Sequence, residues 1–141
     1  MKKINRGILI QFGPRRKKLM NIMSEGSSII IRFILGIVLF IAGMAINIKS
    51  DNVLLALRES SKNGYAIPKG GLFNYISCPN FFGEILEWTG FAIMTWSPAA
   101  LAFALWTYVN LITRARDHHK WYRNRFEDYP QKRKAIIPYI L

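Results

Sequence analysis

The chain has 141 residues, 51% of them hydrophobic, and 20 Lys and Arg against 8 Asp and Glu give a net charge of +12. That length holds one domain, and its charges avoid the apolar runs, which argues for membrane spans flanked by basic segments and against a basic nucleic-acid module. Cys78 is the one cysteine, so an internal disulfide is excluded.

Residues 1–27 read as a basic leader. They contain no continuous apolar core ahead of a small-residue cleavage site, so they are not a secretory signal. Residues 33–48, "FILGIVLFIAGMAINI", then run 16 positions without a charge. The run extends back to Ser28 if Arg32 snorkels to the interface, which predicts a first membrane helix. Gly36, Gly43, Asn47 and Asp51 fall close to one face of it. Small residues admit a second helix at close range. Asn47 and Asp51 fall in or just past the last turn, where a helix cap and a solvated loop residue explain them as well as a ligand does.

The connection from 49 to 80 is rich in turn formers: Asn63-Gly64, Pro68 and Gly70-Gly71. It has no G-x-G-x-x-G after a strand and no G-x-x-x-x-G-K-[ST], so a nucleotide bound here is not held by a Rossmann or P-loop fold. In "NYISCPNFFGEILEWTG", residues 74–90, Asn80, Glu84 and Glu87 are spaced i, i+4 and i+7, on one helical face. Carboxylates at the entrance to a membrane are expensive unless something uses them.

Trp88 to Thr113 is charge-free for 26 residues. A straight helix of that length is roughly 39 Å long against a hydrocarbon core of about 30 Å. "WSPAA" supplies a break, with Ser97 as a cap and Pro98 in a first turn. This predicts two helices, about 81–96 and 98–116, joined by a tight turn. One kinked span is the competing reading.

Beyond it, Arg114, His118 and Tyr122 form a stripe at i, i+4 and i+8. Arg grips phosphate with a planar fork of donors, and His and Tyr can hydrogen-bond ribose, amide or phosphate. An interfacial amphipathic helix with a basic face is the alternative. His118 and His119 point about 100° apart on a helix and no third ligand stands near in sequence, so no metal site is expected. Eight Lys or Arg in residues 114–134 place this tail on the cytoplasmic side, and eight in residues 1–32 make the same demand of the other end. Three spans cannot satisfy both. The polar sets Asn47/Asp51, Asn80/Glu84/Glu87 and Arg114/His118/Tyr122 meet on one side if the chain crosses twice between 80 and 114. There they would form a pocket for a large charged cofactor.

Four stretches make the reading specific: "GMAINIKSD", "GYAIPKGGLFNYISCPNFFGEILEWTGFAIMTWS", "RARDHHKWYRNRFEDYP" and "RKAIIPYIL". From about Leu35 to Leu141 the chain resembles the carboxy-terminal half of the steroid 5α-reductases (3-oxo-5α-steroid 4-dehydrogenases). The resemblance implies an all-α integral membrane protein of the endoplasmic reticulum. This chain would supply about three membrane helices of a seven-helix fold, plus an amphipathic cytosolic tail helix. Residues 1–27 stand outside the resemblance, and 28–141 form the family-like domain.

It also implies hydride transfer from NADPH to the Δ4 double bond of a 3-oxo-steroid. The NADPH contacts carried over are Asn47, Asp51, Arg58, Tyr65, Asn80, Glu84, Arg114, His118 and Tyr122, with Glu87 a neighbouring structural carboxylate. Ala66 replaces the basic residue of close relatives. The Glu and Tyr that hold the steroid ketone lie in an amino-terminal half without counterpart here, so no catalytic residue is expected in this chain, which reads as truncated or joined to a foreign leader. The expected partners are the lipid bilayer and a hydrophobic enone, with neither nucleic acid nor metal. Trans-2-enoyl-CoA and polyprenol reductases share this half and are the enzymatic alternatives; "GGLFNY", "FGEILEW" and "HHKWY" favour the steroid branch. A non-catalytic membrane fragment is the third.

Overall fold

The computed structural model describes residues 6–60 and 66–141. Three α-helices carry the fold: α1 (Arg6–Ser60), α2 (Pro79–Thr95) and α3 (Pro98–Arg125), with a single 3-10 turn at Gly71–Asn74 before α2. No strand forms among the described residues, where an isolated bridge pairs Ile76 with Lys134.

α1 is far longer than the apolar run predicts. It continues past residue 48 because Lys49–Ser60 contains no Gly or Pro and places Leu54, Leu57 and Arg58 at helical spacing. The first part of the expected loop is therefore helix, through Ser60. Asn47 and Asp51 are mid-helix residues, neither a cap nor loop. The Ser50 hydroxyl, buried in this stretch, donates to the Ile46 carbonyl at 2.7 Å and needs no outside partner.

Glycine sets how α1 meets α2. Gly36 and Gly43 on α1 face Gly90 and Gly83 on α2, in antiparallel order. A Cβ built on Gly43 would lie 2.5 Å from the Gly83 carbonyl oxygen, and one on Gly90 would lie 2.5 Å from the Gly36 oxygen. The backbones are thus in direct contact at two levels seven residues apart. Such close approach is what packing inside lipid relies on, since no hydrophobic force drives helices together there. The remaining faces of α1 between 29 and 48 stay uncovered: Ile30, Phe33, Val38 and Ile41 are all exposed. An apolar helix bare round most of its circumference suits lipid as solvent. α1 is also the one described helix long and apolar enough to cross a membrane by length and composition.

The break between α2 and α3 falls where the sequence places it, and the kinked-span alternative is overturned. Trp96 ends α2 in the left-handed region (φ 48°), Ser97 is extended and Pro98 opens α3. The hydroxyl of Ser97 makes no cap hydrogen bond, contrary to expectation. Pro98 forces the residue before it out of the helical region, which is sufficient to stop the chain. The two helices then run antiparallel. Trp88 meets Phe103 edge-on with ring centres 4.4 Å apart. Lower down, the Thr89 hydroxyl donates to the Ile85 carbonyl and so accepts from the Tyr108 hydroxyl at 2.5 Å. Small residues again form the seam, with Ala100, Ala104, Thr107, Leu111 and Ala115 as the buried stripe of α3. At the hairpin tip the Arg32 guanidinium lies 4.7 Å from the centre of the Trp96 ring, a cation–π contact that ties α1 to the turn.

The amphipathic tail helix expected after residue 116 is the continuation of α3, which runs unbroken to Arg125. Beyond Arg125 the chain turns back under the hairpin. Lys134 N–H donates to the Tyr75 carbonyl (2.9 Å), Ser77 N–H to the Lys134 carbonyl (2.8 Å) and Cys78 N–H to the Ala135 carbonyl (3.1 Å). Ala135 and Ile136 are buried against Cys78, Leu111 and Ala115, so the tail closes the core at the end opposite the tip.

Candidate functional site

A cavity of about 680 Å³ opens at that same end. Its walls come from four segments: Leu54, Leu57 and Arg58 on α1; Ala66 after the loop; Ser77, Cys78, Asn80 and Phe81 at the start of α2; and Arg114, Asp117, His118, Trp121 and Tyr122 on α3. The size falls in the range of small-molecule and cofactor sites. Leu and aromatic walls carrying a few cationic and hydroxyl groups can hold flat rings and anionic oxygens together.

Of the residues singled out in the sequence, Arg58, Asn80, Arg114, His118 and Tyr122 line this cavity. Asn47, Asp51 and Glu84 do not. Asn47 packs half-buried where α1 meets Gly83, Asp51 is exposed on α1, and Glu84 is half-buried one helical turn beyond Asn80. Tyr65 lies outside the described residues. Leu54, Leu57, Asp117 and Trp121 are additions. A periodicity signal for them was present: 114, 117, 118, 121 and 122 are one face of a helix, and 54, 57 and 58 are another.

Protonation follows from surroundings. Burial, above all, pushes the Tyr122 phenol upward, with Cys78 and Tyr129 adding to it while Arg133 and Arg58 pull the other way. The group is a neutral O–H donor at neutral pH. Burial pushes the Cys78 thiol up to about 12. Although it sits in the cavity wall, it is an inert thiol and not a nucleophile. In the folded protein at pH 8, iodoacetamide is expected to leave Cys78 unmodified over an hour while labelling it rapidly in denaturant; mass spectrometry of the tryptic peptide reads the difference, and equal labelling would refute the burial.

A polar node that sequence periodicity did not reveal lies behind the cavity. Ser77 is 3% exposed. Its Oγ lies 2.6 Å from His119 Nδ1 and 2.6 Å from the Tyr129 hydroxyl, and it donates to the Lys134 carbonyl at 3.0 Å. The Tyr129 ring stacks on Tyr122, with centres 5.5 Å apart and planes 15° apart. Arg133, also 3% exposed, lies over the Tyr129 ring, its guanidinium carbon 5.0 Å from the ring centre. Its Nε and Nη1 have no hydrogen-bond partner among the described residues. Ser77, His119, Tyr129 and Lys134 come from segments up to 57 positions apart, so helical spacing could not group them.

The helices and cavity together define an all-α chain, one of whose described helices is long and apolar enough to cross a membrane, with a cofactor-sized cavity at one end of a glycine-packed helix pair. Comparison with known proteins gives the family. The description 3-oxo-5-alpha-steroid 4-dehydrogenase matches residues 16–141, and the chain belongs to that family. It is 51% identical over 109 residues to 3-oxo-5-alpha-steroid 4-dehydrogenase 1 of Rattus norvegicus, covering 77% of this chain and 42% of the relative. To a steroid 5-alpha-reductase of Arabidopsis thaliana it is 54% identical over 110 residues, covering 77% and 42%. Identity to the Homo sapiens 3-oxo-5-alpha-steroid 4-dehydrogenase 1 is 50% over 109 residues, with the same shares. The chain thus spans about two fifths of the length of the curated relatives it matches.

Proposed function

We propose that this chain is the NADPH-holding part of a membrane oxidoreductase that reduces the Δ4 double bond of a 3-oxo-steroid. The observation that carries the reading is the convergence of Arg58, Asn80, Arg114, His118 and Tyr122, from three helices, on one cavity. The donor set fits a phosphorylated dinucleotide. Arg58 and Arg114 can grip phosphate oxygens; Asn80, His118 and Tyr122 can hydrogen-bond ribose or carboxamide; Leu54, Leu57, Phe81 and Trp121 can cover a ring. When bound, NADPH supplies the hydride. This chain's part is to bind it, orient it and keep water from the covered face. Asn47, Asp51, Tyr65 and Glu84 belong to the same proposal as further NADPH contacts. The ketone-polarising residues are proposed to come from outside this sequence, and the names of the relatives favour a steroid over an enoyl-CoA or polyprenol substrate. The direct test titrates NADPH against the purified protein in detergent. Binding that survives in Arg58→Ala and Arg114→Ala would sink the reading.

α1, α2 and α3 are proposed to cross an endoplasmic reticulum membrane, with the cavity on the cytosolic side and the hairpin tip on the other. A cysteine-reactive impermeant probe should then reach a cysteine placed at Lys69 or Lys132 from the cytosol, and one at Ser97 only after the membrane is permeabilised. Labelling of Lys69 and Lys132 positions from opposite sides would overturn the arrangement.

A further inference from the structure

Three simultaneous hydrogen bonds at Ser77 Oγ require one assignment of the protons. A serine hydroxyl holds one proton and two lone pairs. The Lys134 carbonyl can only accept, so the Ser77 proton goes there, at 3.0 Å. Both lone pairs must then be met by donors. The Tyr129 hydroxyl gives its proton to one, and His119 Nδ1–H gives its proton to the other, each at 2.6 Å. Ser77, although in the cavity wall, has no capacity left for a ligand.

We infer that His119 is a positioning residue of the cofactor cavity: locked as the Nδ1–H tautomer, it donates to Ser77 and so clamps the returning tail behind Tyr122. The inference rests on the reading of the cavity as a dinucleotide site. The linkage is physical at each step. His119 lies between His118 and Tyr122 on α3, both of which line the cavity. Its bond to Ser77 pins the start of α2, two residues before Pro79 and three before Asn80. Through Ser77 it fixes the Tyr129 hydroxyl, and the Tyr129 ring backs the Tyr122 ring. Burial, then Arg123, Arg133 and Lys134, hold the His119 pKa below its ordinary value, so the ring is neutral at neutral pH. A neutral ring has one N–H, and which nitrogen carries it decides whether the clamp closes.

Asparagine and glutamine separate this from a general structural role. The Asn amide nitrogen stands the same number of bonds from Cα as Nδ1, while that of Gln stands one bond further. Helix propensity favours Gln over Asn, so a merely structural contribution ranks them in the opposite order. In the protein purified in detergent, NADPH binding is measured by fluorescence titration for His119→Asn, His119→Gln, Ser77→Ala and Arg114→Ala. His119→Asn is expected within about twofold of wild type, and His119→Gln and Ser77→Ala to weaken binding about tenfold. Limited proteolysis within residues 126–134 should quicken in the last two alone. On the unmutated protein, nitrogen-15 spectra of labelled histidine should show a protonated Nδ1 and an unprotonated Nε2 for His119. The signal is assigned by its loss in His119→Asn. An unprotonated Nδ1, or equal binding by the Asn and Gln variants, overturns the inference while leaving the cavity reading intact. Unchanged binding in Arg114→Ala overturns the cavity reading, and this inference with it.

Discussion

Gly43→Ala is expected to cost about 3 kcal/mol of stability, at the upper end for overpacking. The added methyl would sit 2.5 Å from the Gly83 carbonyl oxygen and 2.6 Å from the Glu87 nitrogen. Both are backbone atoms of a helix, so no rotamer change relieves the contact and the two helices must separate. Separation also moves Arg58, Leu54 and Leu57 away from Asn80 and Arg114, so NADPH affinity should fall with stability. Gly26→Ala is the control. A methyl there meets nothing within 4 Å, and Ala in a helix interior is about 0.5–1 kcal/mol better than Gly. The two substitutions thus have opposite expected signs on one helix. Thermal unfolding in detergent, followed by near-ultraviolet dichroism, reads both. A melting temperature for Gly43→Ala equal to wild type would mean that α1 and α2 are not in backbone contact.

Arg114→Ala should weaken NADPH binding about ten- to a hundredfold, through loss of a charge-assisted contact of ~1.5–3 kcal/mol. Glu84→Ala sharpens the test, because bulk electrostatics and specific geometry disagree on its sign. Removing a negative charge near an anionic ligand should tighten binding. A carboxylate that accepts from ribose or carboxamide, or that orients a neighbouring guanidinium, should instead be missed. The carboxylate stands one turn from Asn80 on α2, which permits the second. Weakening by both substitutions, with the helices still inserted, supports a built dinucleotide site. If Glu84→Ala tightens NADPH while Arg114→Ala loosens it, the cavity is only an electropositive membrane surface.

Local chemistry determined much of this protein. The break at Ser97-Pro98 was legible because proline excludes helix from the residue before it. The apolar runs, the glycines of α1 and the stripe Arg114/His118/Tyr122 were legible because they are periodic within one element. Residues Leu35–Leu141 also sufficed to place the chain in its family. The length of α1 was not legible because hydrophobicity marks only where an apolar run ends, whereas a helix continues as long as its backbone hydrogen bonds do, here through Ser60. What the tertiary structure alone decided was pairing. Gly83 and Gly90 gain meaning only opposite Gly43 and Gly36. Arg58 joins Asn80 and Arg114 only when α1 packs on the hairpin. Ser77, His119, Tyr129 and Lys134 share hydrogen bonds only because the tail returns beneath α2. A sequence pattern reports contacts a few residues apart. These partners lie tens of residues apart, and what brings them together is the burial of the Ile136 tail and the backbone contact of the glycine faces.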